Sequence, residues 1–276
     1  MLLLDRLGVV KRPLRPNAPL GSTYGGNILG GSMVGLGMTL TGACPGTLLV
    51  QLAQGFPSAK AIGVGALLGG TTYSLLKPRL SKFAKGCNEN VKKTIPEAIN
   101  SSERAVYAVL GMAILATLLA TRRFTQSPGL DPVVGGLMIG LAQAVALFVT
   151  SAPLGVSTAY EQIGQYFLEA IHVKPSSPKT LPKALVFAAA VIAGSVLTRH
   201  VPGAVPMVAY ETTTSLWEAV LGGFVLVFGA RLAGGCTSGH GLSGTSGLSY
   251  SSLITTASMF GAGIVSRLMI VAARAT

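Results

Sequence analysis

Leu29-Gly30-Gly31 … Gly37-Met38-Thr39-Leu40-Thr41-Gly42-Ala43-Cys44-Pro45-Gly46-Thr47 returns 192 positions later as Leu221-Gly222-Gly223 … Gly229-Ala230-Arg231-Leu232-Ala233-Gly234-Gly235-Cys236-Thr237-Ser238-Gly239-His240. Without a gap, seven of the sixteen positions from 29 to 44 are identical, ending on Cys44/Cys236. Chance in so biased a composition gives roughly one or two. The register continues at Gly55/Gly247, Gly69/Gly261, Ser74/Ser266 and Leu76/Leu268. A duplicated apolar unit with a thiol at the same point predicts a membrane transporter built from internal repeats.

Working outward, the 276 residues are 50% hydrophobic and 11% charged, with mean hydropathy +0.59. Soluble domains carry about 25% charged residues, so a membrane protein is the leading class. The 36 glycines fit closely packed membrane helices. The net charge of +12 raises nucleic acid as a partner. The charges neither stripe a helix nor mix with aromatics, which excludes that reading. They cluster between apolar runs, as cytosolic loops do. Charges follow the apolar Met1–Leu4 at once, so no cleavable signal peptide is read.

Apolar runs fall at about 26–43, 59–76, 105–121, 133–149, 184–198, 215–233 and 250–272, with shorter continuations at 46–54, after the break at 151–155 to 169, and beyond 240. Each long run approaches the roughly 20 residues that cross a bilayer. The expected fold is all-α: a polytopic helical membrane protein, one membrane domain over 1–276, with repeat-like units at about 26–121 and 133–272 and a basic polar loop at 77–104. If that loop is cytosolic, the two motif copies cross in opposite senses, as inverted repeats with broken helices. Arg122-Arg123 would then lie outside, against the positive-inside pattern; re-entrant hairpins would repair this.

Non-helical backbone at membrane depth must face protein or water, so both breaks are expected to line a pathway. Gly42, Gly46 and Gly235 supply the turns. Pro45 suits the first turn of a new helix, and Thr47 belongs to that turn. Thr237 or Ser238 would cap the matching helix. Helix N-termini at the breaks attract anions, and thiols at Cys44 and Cys236 would hydrogen-bond a soft anion without trapping it. Arg231 and His240 have Thr39 and Leu48 as counterparts. Arg231 reads either as an anion-attracting charge or as a paired structural cation, with Glu218 the nearest acid in sequence. His240 would donate to the anion or cap carbonyls. A third, cysteine-free break at Ser151-Ala152-Pro153-Leu154-Gly155 adds Pro153, Gly155 and, just after it, Glu161. Cys87 sits among lysines in the polar loop. No close Cys/His pair has metal-ligand spacing, and no cofactor is implied.

At these residues the chain resembles the YeeE/YedE sulphur-transport family. The likeness is carried by Gly37–Gly46, Pro153-Leu154-Gly155-Val156-Ser157-Thr158 and Phe228–His240. It implies an hourglass-shaped, non-enzymatic membrane protein with central re-entrant loops. It also implies uptake of thiosulfate or a similar sulfur anion by S–H to sulfur hydrogen bonds. Cys44 and Cys236 match two of that family's cysteines; an entrance-side cysteine of the bacterial transporters has no counterpart here. The expected setting is multi-pass in the cytoplasmic membrane, in contact with lipid. Two other readings stay open. One is a membrane thiol enzyme or sulfur carrier forming a cysteine persulfide, with His240 as base. The other is a non-catalytic partner of a cytosolic sulfur-carrier protein docking at the basic loop.

Overall fold

A computed structural model describes residues 18, 20–84, 94–124, 132–150, 155–173, 183–198 and 215–275. Cys87, Arg122-Arg123 as side chains, and Pro153 lie outside what is described. Among the described residues the chain is helical, with no strand. The helices are α1 (Gly25–Thr41), α2 (Pro45–Gln54), α3 (Pro57–Ala84), α4 (Ile95–Ile99), α5 (Glu103–Phe124), α6 (Pro132–Thr150), α7 (Ser157–Ala170), α8 (Lys183–Thr198), α9 (Leu216–Leu232) and α10 (Tyr250–Ala275), with a π-helical turn at Ser238–Gly244 before α10. Gly25–Gln54, Glu103–Ala120 and Tyr250–Ala273 are long and apolar enough to cross a membrane. The protein is an all-α integral membrane protein.

The helix limits follow local chemistry. α1 stops where Gly42 turns left-handed (φ 64) and its N–H closes on Met38 O, a conformation that costs glycine nothing. α9 starts at a reciprocal cap: Ser215 Oγ accepts from Glu218 N, and Glu218 Oε2 accepts from Ser215 N. Glu218 is therefore committed to the helix end. The expected polar loop 77–104 is shorter than the sequence suggested. α3 runs on to Ala84, through Pro78. Lys, Arg, Leu and Ala are good helix formers, and 28 residues reach roughly 42 Å, beyond a hydrocarbon core of about 30 Å, so the charged end need not enter lipid. Thr94 and Glu97 cap α4 inside the same stretch.

Glycines decide the packing. A Cβ on Gly30 would lie 2.5 Å from Ala233 N, on Gly37 2.6 Å from Leu226 Cα, and on Gly222 2.6 Å from Thr41 Cγ2. Rising numbers on α1 meet falling numbers on α9, so these helices cross antiparallel at backbone contact. α1 runs parallel to α10, with Gly31 on Thr255 and Thr39 on Gly263. α9 runs parallel to α3, with Gly65 on Val220 and Gly69 on Phe224. Shifting by 192 turns Gly30–Ala233 into Gly222–Thr41, and Gly37–Leu226 into Gly229–Val34, both observed neighbours. α5 and α6 lie at the margin, joined to the segment between the π-helical turn and α10 through Tyr107 and Gln143 on Ser246. Gly37→Ala is expected to cost about 1–3 kcal/mol through overpacking, read as a lower Tm in detergent.

Candidate functional site

Cys44 is the N-cap of α2. Its backbone is extended (φ −94, ψ 166), its Sγ accepts from Thr47 N at 3.4 Å, and its own N–H donates to Thr47 Oγ1 at 2.7 Å. Pro45 occupies the first helical position, where a missing N–H costs nothing. Cys236 matches this in part: the His240 N–H donates to Cys236 O at 2.8 Å, as the Leu48 N–H does to Cys44 O at 2.9 Å, and the Gly239 N–H lies at its Sγ. In both copies the cysteine sulfur thus takes the N–H of the third residue on. The expected hydroxyl cap by Thr237 or Ser238 does not form. Thr237 is already helical (φ −53, ψ −44) and its side chain makes no cap bond; a capping side chain needs extended backbone beneath it. Ser238 Oγ instead meets Cys236 Sγ at 3.2 Å.

The third break supplies the rest. Gly155 leads into α7, and the N–H groups of Val156 and Ser157 also converge on Cys236 Sγ. The same turn reaches α2: a Cβ on Gly46 would meet Cys44 Sγ at 3.8 Å and Val156 Cγ2 at 3.9 Å. Tyr160 is buried, donates its hydroxyl to Pro45 O at 2.9 Å, and lies within electrostatic reach of both thiols. The α7 start therefore bridges the two cysteines. Neither Tyr160 nor the Val156 and Ser157 amides stood out in the sequence. The available signal was the spacing Ser157, Glu161, Gly164, Leu168, which marks one buried helix face.

The cover is unequal. Cys236 is fully buried and Cys44 half-buried, and both are free thiols. A small maleimide is expected to label Cys44 at least about tenfold faster than Cys236, read by mass spectrometry on a Cys87→Ser background.

His240 is fully buried and turned to structural work. Its Nε2 lies 3.0 Å from Ala233 O and its Nδ1 2.9 Å from Ser252 Oγ. A carbonyl only accepts, so Nε2 carries the proton and Nδ1 accepts from the serine. Ala233 O, at the end of α9, also takes Asn27 Nδ2 at 3.3 Å, which ties α1 to the break. Gly235 leaves room for the imidazole, since a Cβ there would lie 2.9 Å from His240 Cδ2. The carbonyl-capping alternative for His240 is the one observed.

Arg231 pairs not with Glu218 but with Glu161, which is buried rather than interfacial. Its Nη1 donates to Thr158 Oγ1 at 3.1 Å, and the guanidinium lies 5.6 Å from the Tyr73 ring centroid. Lys77 Nζ reaches Glu161 Oε1 at 2.7 Å. The partner choice is tertiary: α7 and α9 both pack against α3 and touch each other, so residues distant in sequence meet. In the first copy Thr39 replaces the arginine, satisfied by Gly263 O and Ser266 Oγ. Among the described residues no His, Cys, Asp and Glu group could hold a metal ion.

Over 250 residues the chain is 22% identical to "Thiosulfate transporter TsuA" of Escherichia coli (strain K12), a match covering 79% of this chain and 66%, just under two thirds, of that relative. The sulphur transport family profile matches residues 1–265. Two cysteines at paired helix breaks, bridged by a third, thus sit in a chain that belongs to the sulphur transport family.

Proposed function

We propose that this protein is a transporter, not an enzyme, that carries thiosulfate or a similar small sulfur-containing anion across the membrane along a central pathway. The observation that carries this is the paired geometry of Cys44 and Cys236. Cys44 caps α2, and Cys236 stands at the start of the π-helical turn and gathers N–H groups from α7. Backbone N–H groups and dipole favour an anion at such ends. A thiol adds a weak, polarisable donor, suited to shallow sites in series. Gly42, Pro45, Gly46 and Thr47 line the first station; Gly235, Thr237, Ser238 and Gly155 line the second, and Pro153, outside the described residues, belongs to the same sequence break. Arg231 and Glu161 lie beside it, and His240 shapes it from behind. The two units form an inverted pair, a reading supported by the antiparallel α1 and α9 and by contacts that exchange under the 192-residue shift. The setting is multi-pass in the cytoplasmic membrane, with a cytosolic sulfur-carrier protein as a candidate acceptor.

The persulfide reading needs His240 as a base beside Cys236. Its ring is instead turned to Ala233 O and Ser252 Oγ, which favours transport. Uptake of radiolabelled thiosulfate into proteoliposomes, with sulfate as control, tests the proposal. Saturable uptake above empty liposomes is expected; uptake no faster than leak would sink it.

A further inference from the structure

Glu161 lies between two cations. Its Oε1 accepts from Lys77 Nζ at 2.7 Å and from Gln165 Nε2 at 3.3 Å, while Oε2 pairs with Arg231. One carboxylate thus bridges two cations. Lys77 is 52% exposed, giving the cluster a side at the surface of the bundle, whereas the Arg231 side chain is 12% exposed and that of Glu161 3%. The trio carries a net charge of +1. Although the two side chains form an ion pair, Arg231 Nε and Glu161 Oε2 are each buried with no hydrogen-bond partner, an uncommon state for such strong polar atoms. The same arginine holds Thr158, the neighbour of Ser157, whose N–H reaches the Cys236 sulfur. The cation cluster and the thiol station therefore share one helix turn.

We infer that Arg231 and Lys77 form a further anion-binding station beside Cys236, and that Glu161 occupies it in the resting protein as an internal competitor. The identity of the transported anion rests on the transport reading; the station itself does not. The free Nε–H and the adjacent Nη2–H form a planar fork that matches two oxygens of an oxyanion. When an oxyanion takes this edge, Glu161 gives up Arg231 and keeps Lys77 and Gln165 through Oε1. No bond other than hydrogen bonds is made or broken. Charge explains the competitor. Two cations alone would neutralise a dianion such as thiosulfate and hold it. With Glu161 present the filled station carries a net charge of −1, which favours release. Conduction requires such shallow binding.

The test is Glu161→Gln in the full chain, purified in detergent, with Tm followed against sodium thiosulfate and sodium sulfate. Without anion the variant should melt below the native protein, because two cations lose their partner. With thiosulfate its Tm should recover, with a half-effect concentration about tenfold lower than in the native protein; in proteoliposomes KM and kcat should both fall. A lower Tm with no stronger anion response than the native protein would overturn the inference and leave a plain structural ion pair. Should Glu161→Gln not fold, Glu161→Asp keeps the charge but shortens the bridge. Its half-effect concentration should then fall between the two, and a native-like value would overturn the inference equally. Anion-dependent stabilisation without any uptake would refute the transport reading while leaving the station in place.

Discussion

Thiosulfate uptake by the Cys236→Ala variant is expected to fall at least about tenfold, the largest functional loss from any single side chain in the bundle. Alanine removes the sulfur and leaves the N–H groups of Val156, Ser157 and Gly239 without their common acceptor. An unsatisfied buried donor costs about 1–3 kcal/mol, so part of the loss will show as a lower Tm. The rest is functional, since no polarisable S–H remains between the helix ends. Cys236→Ser separates the two effects. Its hydroxyl restores an acceptor for the amides and so recovers most of the stability, but it offers a harder, shorter donor. Uptake by Cys236→Ser should stay well below native while Tm returns; native-like uptake would count against a specific sulfur station. Cys44→Ala should be milder in Tm, because its sulfur caps only its own helix.

The second large effect is on folding. Arg231→Met should destabilise the protein by about 3–5 kcal/mol, the usual cost of leaving a buried charge without its partner. Glu161 would keep Lys77, which is half-exposed and weaker for it. Adding Glu161→Leu should recover most of the loss, since an apolar pair of similar volume often replaces a buried ion pair without penalty. A double-mutant cycle on Tm in detergent measures this coupling. If the double variant is no more stable than Arg231→Met alone, the pair is not the main partner of either residue. Uptake should fail in the double variant even where stability returns, because the cation is gone.

Much of the fold was legible because a membrane constrains sequence so tightly. Apolar runs read as helices, and Gly42, Pro45 and Gly55 marked where they stop, since glycine turns left-handed freely and proline suits only a first turn. The polar stretch after residue 77 misled, because charge was taken to mean loop, whereas lysine and arginine extend a helix well once it leaves lipid. The site was legible in part. The thiols and their helix breaks followed from the repeated motif. His240 and Arg231 stood out as polar residues in apolar surroundings, but their partners could not be named. Ser252 and Ala233 for the first, and Glu161 for the second, are set by packing between helices far apart in sequence.

The helical membrane class, the two cysteines and the positions of the breaks were legible in the chain, because hydropathy, glycine and proline act locally. Helix packing settled that α7 brings backbone amides and Tyr160 between the two thiols and that Glu161 rather than Glu218 answers Arg231. Those outcomes depend on which glycine faces let which helices touch. That is a property of pairs of surfaces, and one run of residues does not specify its partner.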